Sequence, residues 1–244
     1  MPALVEADDD GLYVVKLRGA GQGPGVLVAE LVAGELARAA GLEVPELVLV
    51  ELDPALGKND PDAEVRDLLV ASGGLNLGVD FLPGSITWDP AADPAPDPLW
   101  ASEVVVLDAL VTNPDRTARN PNLLSWQGRP WLIDHGAALW FQYAFDAARP
   151  LARADRPYAA ARDHLLLAAA TRLDAARATL ERVWTDARLE AICRAIPDEW
   201  LEAPPGAPPL PPREVYAAWL VARRGALGEI VKQIDEAAGR GEAA

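Results

Sequence analysis

The sequence predicts an α+β protein in two lobes, a small β-rich one followed by a mainly helical one. Three observations predict it. Short runs rich in β-branched and aromatic residues crowd the first third of the 244 residues, around one helix-forming stretch. Five prolines then fall between Pro83 and Pro98, a density that interrupts regular structure. Beyond them, apolar residues recur at helical spacing. Residues 1–84 are therefore expected to form the first lobe, 85–100 a Pro-rich connector and 101–244 the helical lobe.

Taken in order, MPALVEADDDG holds a single short strand. Leu12 to Leu17 (LYVVKL) is β-rich, and its Lys16 is the only lysine before Lys58. Gly19, Gly21, Gly23 and Gly25 alternate in RGAGQGPG. Such a loop can turn backbone amides toward a phosphate, and a flexible connector reads the same. It lacks the Gly-Lys-Ser/Thr ending of a P-loop. Val26 to Ala40 (VLVAELVAGELARAA) forms a helix, with Glu35 and Arg38 as i,i+3 partners. Glu30 lies about 140° round that helix from Glu35, beside Val26, Ala33 and Gly34. A half-buried carboxylate wants a cation, and Lys16 is the candidate. The ordinary alternatives are a surface lysine and an acid favoured by the helix dipole.

Leu47 to Val50 reads as a strand. GKNDPDAEVRDLLVASGG reads as a loop and a short helix ending at Gly73-Gly74. Leu75 to Leu82 then leads into FLPGSITWDPAADPAPDPLW. Ser102 to Thr112 is an apolar helix in which Asp108 is expected to be a buried structural acid. Further helices are expected from Arg162 to Trp184 and from Asp186 to Ala195, with His164 an ordinary helical residue. A second Pro-rich break, APPGAPPLPP, precedes a last helix from about Arg213 to Ala238. Val215, Trp219, Ala222, Ile230 and Ile234 give that helix a core-facing stripe. The eight tryptophans are scattered and are expected to pack.

The stretch with most chemistry runs from Asn113 to Asp134, NPDRTARNPNLLSWQGRPWLID. Two apolar runs flank Gln127-Gly128-Arg129, which is a hairpin signal. A two-residue turn at Gln127-Gly128 makes partner numbers sum to 255 and sets Asp134 opposite Pro121, next to Asn120. A three-residue turn sets it opposite Asn122. Asn, Pro and Asp are common turn formers, so NPD alone says little. Asp115, Asn120 and Asp134 together say more. An amide and a carboxylate supply the oxygen ligands that a hard cation prefers. A separate carboxylate can accept the proton of an attacking hydroxyl.

NPDRTARN, followed by LLSW and LIDHGAAL, resembles the catalytic segment of HipA-like kinases, bacterial relatives of the protein-kinase fold. YVVKLRGAGQG and VAELVAGELARAAGLEVPE look like that family's lysine strand and glutamate helix. The resemblance covers most of residues 10 to 145. It implies a two-lobed protein-kinase-like fold and ATP- and Mg2+-dependent phosphoryl transfer to a hydroxyl. Asp115 is implied as catalytic base, and Asn120 and Asp134 as magnesium ligands. Lys16, oriented by Glu30, is implied to hold the α- and β-phosphates. His135-Gly136 then take the place of the last two residues of the DFG motif, with His135 given a packing or supporting role. The family often carries a His two residues after the catalytic Asp, where this chain has Thr117. Adenine usually rests against the backbone joining the lobes, which brings in Leu82; Gly21 and Gly23 are the phosphate-loop candidates. The acceptor could be a protein Ser or Thr, a small molecule or a lipid headgroup. Only fifteen residues precede Lys16, so the strand and phosphate loop that precede the lysine in protein kinases look missing or replaced. That speaks for the rival reading, a nucleotide-binding pseudokinase acting through a partner, and the intact Asp115, Asn120 and Asp134 set speaks against it. A purely structural interaction protein is the third.

Net charge is -15 and pI about 4.5, so nucleic acid would be repelled over most of the surface. Arg116, Arg119 and Arg129 form a local cluster that could face phosphates or an acidic substrate, or be solvated ion-pair partners. No uncharged apolar run reaches ~18 residues, so no membrane span is expected. The N-terminus carries acids where a signal peptide carries bases, and a cytoplasmic location is the expectation. Cys193 is the only cysteine, which excludes an internal disulfide and a thiolate metal site.

Overall fold

The computed structural model describes residues 2–21, 23–59, 61–202 and 209–240. Strand β1 (Pro2–Glu6) turns back through an acidic loop and pairs antiparallel with β2 (Leu12–Lys16), setting Pro2 opposite Lys16. The loop closes because Asp9 accepts a hydrogen bond from the Gly11 amide and Asp10 takes a left-handed φ of 64°. β3 (Leu47–Leu52) and β4 (Gly74–Asp80) complete a four-stranded antiparallel sheet in the order β1-β2-β4-β3. Helix α1 (Gly25–Ala39) packs against β3 and β4. The short helix α2 (Ala63–Ala71) starts where the Asp62 carboxylate caps the amides of Glu64 and Val65.

A second antiparallel sheet holds β5 (Ile86–Thr87), β6 (Leu123–Trp126) and β7 (Arg129–Leu132) in that order. β5 lies inside the proline-rich stretch, where no regular structure was expected. Its two residues fit between Pro83 and Pro90, so the amides needed for pairing with β6 remain.

Helix α3 (Pro98–Val111) starts four residues before its expected beginning. Asp97 caps it, and Pro98 occupies the first helical position, where its missing N–H costs nothing. From Val104 to Val111 every α3 residue is buried, so the other helices gather round it. They are α4 (Leu173–Val183), α5 (Asp186–Arg194), α6 (Asp198–Leu201), α7 (Arg213–Gly225) and α8 (Leu227–Ala237).

Two helical expectations are corrected. The helix expected from Arg162 begins only at Leu173. Residues 161–163 make a 3-10 turn, and His164 then pairs by backbone with Thr117, a tertiary contact that overrides local propensity. The expected last helix is two, broken at Ala226. Gly225, a poor helix former, ends α7. Trp219 on α7 and Ile230 and Ile234 on α8 all reach the core. Residues 203–208 of the second Pro-rich break lie outside the described residues. Among the described residues no helix is long and apolar enough to cross a membrane. The chain is thus a mixed α/β protein of two small antiparallel sheets and, among the described residues, eight α-helices.

Candidate active site

The β6–β7 hairpin is what returns Asp134 to the asparagines. Gln127 and Gly128 both have positive φ, 50° and 73°, the requirement of a type I′ two-residue turn. The register is Leu123↔Leu132 and Trp126↔Arg129, so partner numbers sum to 255. Ile133 continues the ladder by donating to the Asn122 carbonyl at 3.1 Å. The chain then leaves β7 at Asp134, whose φ is 56°.

Lys16 meets Asp134 from the other sheet. Its Nζ lies 2.6 Å from Asp134 Oδ1 and 2.8 Å from Glu30 Oε2. Glu30 is buried and Asp134 is half exposed. Burial works against the Lys16 ammonium, but the charges of Glu30 and Asp134 outweigh it and raise its pKa. Burial likewise works against the Glu30 carboxylate. The Lys16 charge, with His135 nearby, overcomes it and holds Glu30 at about 2. His135 is buried, with Nδ1 3.7 Å from Glu30 Oε1, a supporting position behind the lysine. Gly136 lets this segment approach α1: a Cβ there would stand 2.6 Å from Val26 Cγ1.

Asp115 and Asn120 form a second cluster. The loop is closed by reciprocal backbone bonds between Thr117 and Asn120, at 3.0 and 3.1 Å. Asn113 Oδ1 accepts from the Asp115 amide. Asn120 Nδ2 donates to Asp115 Oδ2 at 2.8 Å, and the Asn120 side chain is exposed. Asn122 joins the two clusters. Its buried amide donates to Asp115 Oδ2 at 3.1 Å and to the Asp134 carbonyl at 3.3 Å. Among the described residues no hydrogen bond joins Asn120 to Asp134.

Gly21 and Gly23 line a cleft of about 350 Å³ together with Lys16, Asp134, Val26, Leu27 and Pro2. Leu82 is buried and does not line it; its carbonyl accepts from the Ser85 amide. A larger hollow of about 640 Å³ lies elsewhere, beside Cys193 and Arg213, and includes none of these residues. The cleft of interest is the smaller one, because that is where the charged side chains converge. Among the described residues no group of three or more His, Cys, Asp or Glu side chains is set to hold a metal. The candidate donor set is instead one amide and one carboxylate.

The arginine cluster does not exist as a unit. Arg129 pairs with Glu43 at 2.6 Å on the surface, and Arg119 is exposed. Arg116 is buried beneath the loop, with Nε 2.7 Å from Asp108 Oδ2 and Nη1 2.5 Å from the Asn122 carbonyl. His164, also buried, places Nε2 3.0 Å from Asp108 Oδ2. Its Nδ1 accepts from the Leu166 amide at 3.1 Å. Asn113 Nδ2 donates to Asp108 Oδ1, and Tyr158 donates to the Asn113 carbonyl. Burial would raise the Asp108 pKa, but Arg116 and His164 keep it far below the usual range. Asp108 is the structural acid expected. Its partners Arg116, His164 and Asn113 carried no signal as a group in the sequence, whereas counting through a two-residue turn sets Asp134 opposite Pro121, next to Asn120.

The sequence profile of the HipA-like kinase family matches residues 1–208. Among solved structures the chain is similar to the crystal structure of a Helicobacter pylori proinflammatory kinase, CtkA. The TM-score is 0.55 at 15% identity, covering 98% of this chain and 93% of that one. At that identity the likeness speaks for the fold. No curated protein sequence matches.

Proposed function

Because the chain belongs to the HipA-like kinase family, we propose that it is an ATP- and Mg2+-dependent phosphotransferase acting on a hydroxyl acceptor. One observation carries the reading. Lys16 Nζ sits between Glu30 and Asp134, at 2.8 and 2.6 Å, in a cleft bordered by Gly21 and Gly23. That is one cation on the wall of a hollow, held between two anions.

In this reading Lys16 binds the α- and β-phosphates and Glu30 keeps it oriented. The phosphates compete with Asp134 for Lys16, which frees the Asp134 carboxylate. Asn120 and Asp134 fit magnesium: both offer oxygen, both are exposed, and the ion usually takes one or two protein ligands with the rest from phosphate and water. Bound there, the ion would neutralise charge on the phosphate oxygens. Asp115 orients the acceptor hydroxyl and takes its proton as the new O–P bond forms and the bond to the ADP leaving group breaks. Asn113 and Asn122 hold Asp115 in place. Residues 1–84 act as the nucleotide lobe, 85–100 as connector and 101–244 as the catalytic lobe. The family favours a protein Ser or Thr as acceptor, in the cytoplasm.

A thermal-shift series with ATP, ADP and GTP, with and without magnesium, tests binding, since a ligand raises the melting point by mass action. Magnesium-dependent ATP turnover that vanishes in Asp134→Ala supports the enzyme. Binding without turnover leaves the pseudokinase, and no binding sinks both.

A further inference from the structure

The Lys16–Glu30 pair spans a strand and a helix that contribute nothing to each other along the chain. What holds both is a segment far downstream. Arg18, two residues past Lys16, donates from Nη1 to Glu199 Oε2 at 2.9 Å and from Nη2 to the Glu199 carbonyl. The same Oε2 accepts from the Leu75 amide on β4. Trp200 is fully buried, and its indole N–H donates to the Leu75 carbonyl at 2.9 Å. Trp184, also fully buried, donates to the Leu36 carbonyl at 3.0 Å, six residues beyond Glu30 on α1.

The segment is anchored in turn from behind. Arg213 on α7 pairs with Asp198 at 2.6 Å and donates to the Ile196 carbonyl. Arg224 pairs with Asp186 and donates to the Trp184 carbonyl. Helix α1 packs on α3, α5 and α6, and from Leu27 to Gly34 all of it is buried. Swinging Glu30 away from Lys16 would tear the indole from Leu36 and leave buried polar groups unpaired.

We propose that residues 184–200 form a brace that fixes the Lys16–Glu30 pair before any nucleotide arrives, with Glu199 as a positioning residue. Its catalytic consequence rests on the kinase reading above; its geometric consequence does not. The pair is then built in, and Lys16–Asp134 is the contact left to change when ligand binds.

Glu199→Ala tests it, because that side chain is 46% exposed and its loss leaves the core intact. Two readouts are needed. Amide hydrogen exchange of β2 and α1 should quicken, and the KM for ATP with magnesium should rise about 5-fold with kcat little changed. The double charge reversal Arg18→Glu with Glu199→Arg should recover most of both. Glu229→Ala, a surface pair on α8, should move neither. If Glu199→Ala lowers the melting point while exchange in α1 and the ATP KM stay put, the brace is overturned as a positioning device. If the wild type fails to bind ATP, the kinase reading falls, and the exchange of β2 and α1 still decides the brace.

Discussion

Two charged networks, built on Asp108 and on Asp115 seven residues later, behave in opposite ways. Asp108, with Arg116, His164 and Asn113, is closed: all four are buried, and the charges are paired within hydrogen-bond distance. Asp115, with Asn120, Asp134 and Lys16, is open: Asn120 and Asp134 are exposed, and Lys16 and Asp134 line a cleft. The closed network has no valence left for a ligand. The open one has an amide oxygen and a half-exposed carboxylate to spare. Proximity in sequence therefore does not group these residues by task; burial and unused hydrogen-bonding capacity do. Asn122 is the hinge between them. Its carbonyl accepts from Arg116 and its amide donates to Asp115.

The contrast can be broken most directly at Arg116. Arg116→Ala strands a buried Asp108 charge and should cost about 3–5 kcal/mol of unfolding free energy. Urea denaturation measures it, and a loss under 1 kcal/mol would mean the closed network is no scaffold.

Acid should act next. Glu30 is held at about 2 when folded, against an ordinary 4.5. The depressed pKa contributes stability above pH 4.5 that drains away as pH falls toward 2, roughly 3 kcal/mol for this group alone. Asp108 shifts in the same direction and steepens the limb. Glu30→Gln should flatten the decline between pH 5 and pH 2 in a stability-versus-pH series; an unaltered slope would deny the Lys16–Glu30 coupling.

Asp115→Ala sharpens the open side. Turnover should fall by ~10²-fold or more, while ATP affinity stays within a few-fold and the melting point barely moves. Undiminished turnover would remove Asp115 from its role. The smallest effect belongs to Arg129→Ala, whose surface pair with Glu43 should contribute at most about 1 kcal/mol. A thermal melt detects anything larger.

Local chemistry was readable without coordinates. The strand bearing Lys16, the helix bearing Glu30 and the turn at Gln127-Gly128 each depend on a few consecutive residues. With a two-residue turn, arithmetic carries Asp134 opposite Pro121, next to Asn120; that the Asn122 amide is what reaches the Asp134 carbonyl is a tertiary finding. Where the reading missed, the partners were remote. His164 was placed in a helix because its own neighbours favour one, yet its contact is Asp108, 56 positions away. Arg116 was grouped with Arg119 and Arg129 because they are close in sequence, while its partners lie beneath the loop.

The sequence alone determined the periods, the turns and the acid–amide–acid spacing, because those arise from short-range backbone preference and side-chain geometry. Tertiary structure alone decided which charges are sealed and which stay open. It also decided that Trp184 and Glu199 hold elements 148 and 181 positions away. Burial is a property of the whole packed chain, and contacts at such separations follow from how the helices close around α3, which no local pattern encodes.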